Sequence, residues 1–176
     1  MSHVQLDIAT LDDLPQIVAI YNSTIAGRMV TADLEPVSVD SRLPWFHAHN
    51  AERRPLWVVR EQGAVIAWIS LSDFYGRPAY NGTAEVSIYL AESCRGRGMG
   101  SRLLQQVLDI APQYGVENLL GFVFGHNLPS LALFQRHGFA QWAHFPRVAV
   151  LDGVHRDLII FGKALTGAGH AAPASL

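Results

Sequence analysis

The sequence predicts an α/β protein built on one mixed sheet with helices on both faces, and three observations carry that prediction. Strand-like and helix-like segments follow the order β-α-α-β-β-β-α-β-α-β-β. One segment, Leu119–Phe124, is nearly all apolar, as expected of a central strand buried on both faces. An alternating strand, Thr83–Ala91, also feeds a helix directly through a turn rich in Gly and Arg.

Taken in order, Val4, Leu6 and Ile8 alternate with polar residues and predict a first strand. Thr10-Leu11-Asp12-Asp13 resembles a capping box. Behind it Leu14, Ile17, Val18, Tyr21 and Ile25 recur at helical spacing. Pro15 falls in the first turn, where a missing N–H costs little, and Gly27 is the stop. Arg28–Val37 is irregular. Ser38 is placed to cap a second helix carrying Leu43, Trp45 and Phe46 and ending near Asn50. Leu56–Glu61 and Ala64–Ser72 predict strands about a Gln62-Gly63 hairpin turn. The loop Asp73–Gly82 leads into Thr83–Ala91. The next helix runs from about Gly98 to Gln113, with Leu103, Leu104, Val107, Leu108 and Ala111 on one stripe. Asn127 caps the following helix, with Pro129 early in it and Gly138 beyond its end. Phe139–Phe145 and Arg156–Ala164 are the last strands, an antiparallel pair. From about Thr166 the residues are mainly Gly, Ala, Pro and Ser. The expectation is one domain over 1–165 and a flexible tail over 166–176.

Composition bounds the setting. With 176 residues, 49% hydrophobic and 16% charged, the chain can close a sizeable core. A formal net charge of −2 gives no reason to expect nucleic acid or an anionic membrane as partner. The single cysteine, Cys94, cannot form an internal disulfide, so a reducing cytoplasm is the expected compartment. No apolar run approaches the ~20 residues of a membrane helix, and Met1–Thr10 has no secretory pattern. The low charged fraction leaves apolar surface to cover, which points to a homodimer.

The turn after Thr83–Ala91 is the first candidate site. A strand running into a helix through glycines presents backbone N–H groups and a positive helix end to an anion. Gly96, Gly98 and Gly100 lack the Gly-x-x-x-x-Gly-Lys-Ser/Thr spacing of a P-loop and the spacing of a dinucleotide fingerprint. What remains is Arg95-x-x-Gly98-x-Gly100, with Arg95, Arg97 and Arg102 available to neutralise a phosphate-bearing ligand. The alternative is a solvated turn that is merely glycine-rich. His47 and His49 are too poorly placed for a metal, being two apart on a helix, so no metal site is expected. Cys94 has no activating His at readable spacing.

Several motifs together carry a resemblance. Arg95-x-x-Gly98-x-Gly100 after an alternating strand resembles the acetyl-CoA pyrophosphate loop of the GNAT superfamily of N-acetyltransferases. Asn127-x-x-Ser130-x-x-x-Phe134, followed by Gly138-Phe139, is similar to that superfamily's last motif block. Ile20-Tyr21-Asn22, Arg77-Pro78-Ala79-Tyr80, Thr83-x-Glu85-x-Ser87-Ile88-Tyr89 and Gly153-x-x-x-Asp157-Leu158 resemble the phosphinothricin acetyltransferase branch. The likeness runs from about Leu6 to Lys163.

That resemblance implies a GNAT-like fold, with a central, mostly antiparallel mixed sheet flanked by helices. It also implies direct transfer of acetyl from acetyl-CoA to the primary amine of a small amino-acid-like acceptor, of phosphinothricin or methionine sulfoximine type. Glu85 then matches the general base. Main-chain groups of Ile88 and Leu90, on either side of Tyr89, match the holders of the pantetheine arm. The turn Arg95, Gly96, Arg97, Gly98, Met99, Gly100 and Ser101 matches the pyrophosphate loop, and Asn127 and Ser130 match further cofactor contacts. Arg77 and Tyr80 match an acceptor pocket drawn from Arg28–Leu34, Phe74–Tyr80 and the last hairpin. Arg77 fits a carboxylate partner and a solvated loop arginine equally well. Asp157 is expected as a buried structural carboxylate.

Two positions depart from the pattern. Phe134 stands where many members carry a Tyr that protonates the leaving thiolate, and Phe has no proton to give. Val86 replaces a His often seen beside the base. A catalytically silent acetyl-CoA-binding module and an acetyltransferase of protein or peptide amines are the competing readings.

Overall fold

The computed structural model describes residues 3–165; the tail expected over 166–176 lies outside the described residues. Seven strands form one sheet: β1 (Asp7–Ile8), β2 (Leu56–Glu61), β3 (Ala64–Asp73), β4 (Thr83–Leu90), β5 (Asn118–Phe124), β6 (Ala140–Leu151) and β7 (Val154–Ala164). Their order is β1-β2-β3-β4-β5-β7-β6, antiparallel at every junction except β4–β5. Four helices are α1 (Leu14–Ser23), α2 (Leu43–His47), α3 (Met99–Ile110) and α4 (Leu128–Arg136).

Strand alternation distributes the core between two layers. On one face Trp57, Val59, Ile69, Leu71 and Val86 pack against Leu103, Leu104 and Val107 of α3, with Leu131 and Leu133 of α4 alongside. On the other, Leu56, Val58 and Trp68 meet Ile17, Ile20 and Tyr21 of α1 and Trp45 and Phe46 of α2. The stripe expected on α3 therefore faces the first layer.

Local chemistry sets the element ends. Asp13 and Thr10 form the expected capping box ahead of α1. The Asp13 carboxylate also accepts two bonds from Arg60, at 2.7 and 2.8 Å, which hold its carboxyl below the usual range. Gln62 and Gly63 both take positive φ, 51° and 82°, as a two-residue hairpin turn requires. Asn127 caps α4, its Oδ1 accepting from the N–H of Ser130 at 3.3 Å.

Several boundaries differ from expectation. The first strand shrinks to Asp7–Ile8, and α2 stops at His47, preceded by a short 3-10 turn over Asp40–Arg42. β6 runs six residues past Phe145, to Leu151, because its register slips between Phe145 and Ala149. That slip accommodates Pro146, which has no N–H to donate, and Arg147 at φ 58°. Asp152-Gly153, both at positive φ, then closes the β6–β7 hairpin.

The feature that makes room for a site is the β4–β5 junction. These two strands pair only at Thr83↔Asn118, Ala84↔Leu119 and Glu85↔Leu120. Beyond Glu85 they splay, while β4 stays paired to β3 from Ala84 to Leu90.

Candidate active site

Alternation along β4 sends Ala84, Val86, Ile88 and Leu90 to the α3–α4 face, where all four join the core. Glu85, Ser87 and Tyr89 point to the α1–α2 face, opposite Ser72, Ser70 and Trp68 of β3. Backbone groups alternate too. The N–H of Ala91 donates to the Ile66 carbonyl at 2.8 Å, so the odd-numbered residues of β4 bond to β3. The Val86 carbonyl and the backbone groups of Ile88 and Leu90 consequently face the gap left by β5, where the Leu90 carbonyl accepts from Arg95.

Two cavities meet on this strand. The larger, about 590 Å³, fills the splay and is walled by Ile88 and Leu90 of β4, Phe122 and Phe124 of β5, and Leu133 and Phe134 of α4. Residues 29–32 close it from above and Gly100 stands at its turn end. The smaller, about 300 Å³, lies between β3–β4 and the α1–α2 layer, with Ile17, Tyr21, Arg42, Trp45 and Trp68 in its wall. Glu85, Ser87 and Tyr89 line both.

Glu85 is thus the acid at the junction. It is half-buried, and burial pushes its carboxyl up to about 7. Tyr89 stacks on Trp68 with ring centroids 4.4 Å apart, and burial raises its phenol as well.

The turn has the conformation an anion site needs. Gly96 and Gly98 both sit at φ 74°, a left-handed region that a side chain would strain, and Gly98 is the N-cap of α3. With no side chain capping α3, its first-turn N–H groups point outward beyond Gly98. The arginines brace the turn itself. Arg95 donates from Nε to the Leu90 carbonyl at 3.1 Å and from Nη2 to Ser23 Oγ at 2.8 Å. Arg97 donates to the Ser93 carbonyl. Ser101 Oγ bonds His137 Nε2 at 2.8 Å, and Met99 packs against the core.

Of the expected cofactor residues, Ile88, Tyr89, Leu90, Gly100, Asn127 and Ser130 are brought together on the larger cavity with Glu85. Arg95, Gly96, Arg97, Gly98, Met99 and Ser101 flank Gly100 along the turn. Asn127 is also tied to residues 29–32, its Nδ2 donating to the Met29 carbonyl at 3.0 Å.

One expectation, that of a buried Asp157, needs correction, and the expected acceptor residues lie apart from both cavities. Arg77 and Tyr80 line neither cavity. Their loop folds onto itself: Phe74, Tyr75 and Tyr80 pack ring against ring at 5.0–5.9 Å, which turns the loop outward. Asp157 is not buried; its side chain is 38% exposed and accepts from His144 Nε2 at 2.7 Å and the Arg147 N–H at 2.8 Å. His49 is held by the Trp45 carbonyl and Ser72.

Sequence reasoning also missed Arg42. Its guanidinium lies 4.5 Å from the Tyr21 ring centroid and 5.8 Å from that of Trp45, and Nη2 donates to Asp33 at 3.1 Å. Tyr21 OH in turn bonds Asp33 and, at 2.5 Å, Thr31. The one available signal was an arginine just before an aromatic helix, too common to single out.

Phe134 has a structural role in the cavity wall. Its ring lies edge-on to Phe139 and stacks on Phe161, and it passes so close to Gly121 that an added Cβ would sit 2.4 Å from it. Gly121→Ala is therefore expected to cost about 1–3 kcal/mol of stability and to raise the KM for acetyl-CoA. Urea unfolding and steady-state kinetics check this. Restoration of both by a second change, Phe134→Leu, is the diagnostic result, and an unchanged wild-type-like Gly121→Ala protein would refute the contact.

A sheet splayed beside a glycine turn, with a half-buried carboxylate at the branch, defines a class. The sequence profile of the acetyltransferase (GNAT) family matches residues 16–139, and the chain belongs to that family. It is an acetyltransferase. The chain is 58% identical over 162 residues to YwnH of Bacillus subtilis, a candidate phosphinothricin acetyltransferase, covering 92% of this chain and 99% of that one. It is 30% identical over 151 residues to an L-methionine sulfoximine/L-methionine sulfone acetyltransferase of Pseudomonas paraeruginosa, covering 85% and 88%. A crystal structure of a phosphinothricin acetyltransferase from Sinorhizobium meliloti in complex with acetyl-CoA superposes with a TM-score of 0.87 at 25% identity, covering 98% and 94%.

Proposed function

We propose that the protein transfers acetyl from acetyl-CoA to the primary amine of a small amino-acid-like acceptor, with Glu85 as general base. The observation that carries this reading is the position of Glu85. Its carboxyl stands where a long apolar cleft meets a compact polar pocket, and it titrates near 7.

The larger cavity suits a ligand with an extended arm and phosphates, because β4 turns main-chain groups of Ile88 and Leu90 toward the splay and the Gly98 turn offers N–H groups. Ile88 and Leu90 hold the arm, and the turn from Arg95 to Ser101 holds the pyrophosphate. The thioester supplies an already activated acyl group, so the protein's task is to orient it and to deliver a neutral amine. Glu85 removes the ammonium proton, directly or through one water. The leaving thiolate needs no acid from Phe134, which cannot supply one.

The names of the relatives support a compact amino-acid acceptor such as methionine sulfoximine or phosphinothricin. The acetyltransferase unit spans 1–165 and works in the cytoplasm as a homodimer. Trp142, Phe145, Val148 and Val150, all exposed on the edge strand β6, support the dimer. A monomeric mass by light scattering would remove it.

Thiol release with acetyl-CoA and a panel of amino acids, amines and peptides tests the reaction. Release with small amino acids and not with peptides is expected. Acetyl-CoA binding without release on any acceptor would instead favour the silent module.

A further inference from the structure

We infer that Arg42 is the residue that reads the acceptor, pairing with a free α-carboxylate while the α-amine points at Glu85. This rests on the acetyl-transfer reading above and adds to it which end of the acceptor is recognised, and by what.

The smaller cavity has opposite charges in its wall. Glu85 is its one acidic lining residue and Arg42 its one basic one. Between them Ser70, Ser72 and Ser87 offer hydroxyls on the sheet side, and Ile17, Val18, Trp45 and Trp68 offer apolar surface on the helix side. An α-amino acid carries the matching groups on one carbon: an ammonium for Glu85, a carboxylate for Arg42 and a side chain for the hydroxyl-bearing and apolar walls. At about 300 Å³ the cavity is at the small end for ligand sites, too small for a peptide backbone on both sides of the amine.

Arg42 is prepared for that task. Stacking on Tyr21 fixes the plane of its guanidinium, so little freedom is lost when a carboxylate binds. Asp33 takes one N–H, from Nη2. A guanidinium has five, so donors remain for a second carboxylate. Asp33 itself is held by Tyr21, whose hydroxyl also bonds Thr31, and Thr31 lines the larger cavity. The cation that would bind the acceptor is thus tied through two hydroxyls to residues 29–32 over the acyl-donor cleft. Arg77, which the sequence left equally open as a carboxylate partner or a solvated loop arginine, lines neither cavity.

The test compares acceptors that differ only at the carboxylate: an L-amino acid that the wild type acetylates, its carboxamide and its decarboxylated amine. For Arg42→Met, which keeps bulk against Tyr21, KM for the amino acid should rise roughly 10–100-fold with kcat changed little. KM for the amide and amine should change less than about 3-fold, and KM for acetyl-CoA should stay at the wild-type value. Arg42→Lys, which keeps charge without the planar fork, should fall between the two. Equal losses on all three acceptors would overturn the inference and make Arg42 structural. So would a wild type that acetylates the amide or amine as well as the amino acid, although acetyl transfer itself would then stand. Absence of thiol release with every amine would sink the proposed function, and this inference with it.

Discussion

Replacing Glu85 by Gln should slow acetyl transfer at pH 7 by about 10²–10³-fold and remove the rise in rate that the wild type shows near neutrality. Gln keeps the shape but accepts no proton. Wild-type kcat/KM should climb as Glu85 ionises through its value of about 7. In the variant only the slower rise from the acceptor amine's own ionisation should remain. A variant that retains the neutral limb would exclude Glu85 as the base.

The same substitution should have an opposite effect on stability. Glu85 binds its proton more tightly in the folded protein, at about 7, than in the unfolded chain, at 4.5. Between those values the folded state therefore holds more protons, and stability falls as pH rises. Above about pH 8 the ionised, half-buried carboxylate costs at most about 3 kcal/mol, and less where water reaches it. Glu85→Gln should accordingly be more stable than wild type at pH 8.5 and about equal to it at pH 4. Urea unfolding at both values gives the comparison, and a gap that does not change with pH would contradict the burial.

Arg54→Ala is expected to destabilise the fold by about 3 kcal/mol, the largest loss among the substitutions considered. Arg54 is only 2% exposed. Its Nε donates to Asp73 Oδ1 at 2.8 Å, Nη2 to the Asn81 carbonyl at 2.6 Å, and Nη1 to the carbonyls of Arg53 and, at 3.4 Å, Tyr114. One side chain thereby closes the end of β3, the approach to β4 and the segment after α3. Truncation leaves those carbonyls without a donor. Asp73 keeps a partner in Arg53, at 3.0 Å, which limits the loss. Arg54→Lys, with a point charge in place of the fork, should recover only part. A shift in urea midpoint equivalent to less than about 1 kcal/mol would show that water replaces these bonds at little cost.

What was legible in the sequence depended on the range of the cause. The Gln62-Gly63 turn, the Asn127 cap, the Asp13 capping box and the α3 stripe are local patterns, and each stands in the structure. The alternation from Thr83 to Leu90 correctly set Glu85 on the opposite face from Val86. Glu85, Ile88, Leu90, Asn127 and Ser130 were grouped through the resemblance to the GNAT motifs, and the fold brings them onto one cavity. Arg42 and Arg54 were not. Their partners Asp33, Tyr21, Asp73 and Asn81 are far enough along the chain that no periodicity connects them, and Arg53-Arg54 reads like an ordinary solvated pair. The extension of β6 was hidden for another reason. Pro146 normally ends a strand, and only a bulge lets it pass. The outward turn of the Arg77 loop follows from aromatic contacts among Phe74, Tyr75 and Tyr80 that sequence alone does not orient.

The splay after Glu85↔Leu120 has one more consequence. A sheet ordinarily has two rims, and this one carries a third in its interior. Along it, Ile88 and Leu90 face a partner strand that has moved away. Interior rims of that kind favour any extended chain able to run beside them, whatever its side groups. On the proposed reading, the arm of the acyl donor occupies the place of the missing strand, and recognition there depends on length and spacing. On the same reading the opening that admits the donor also aligns its reactive end with the proposed base, because Glu85 is the last residue of β4 paired to β5.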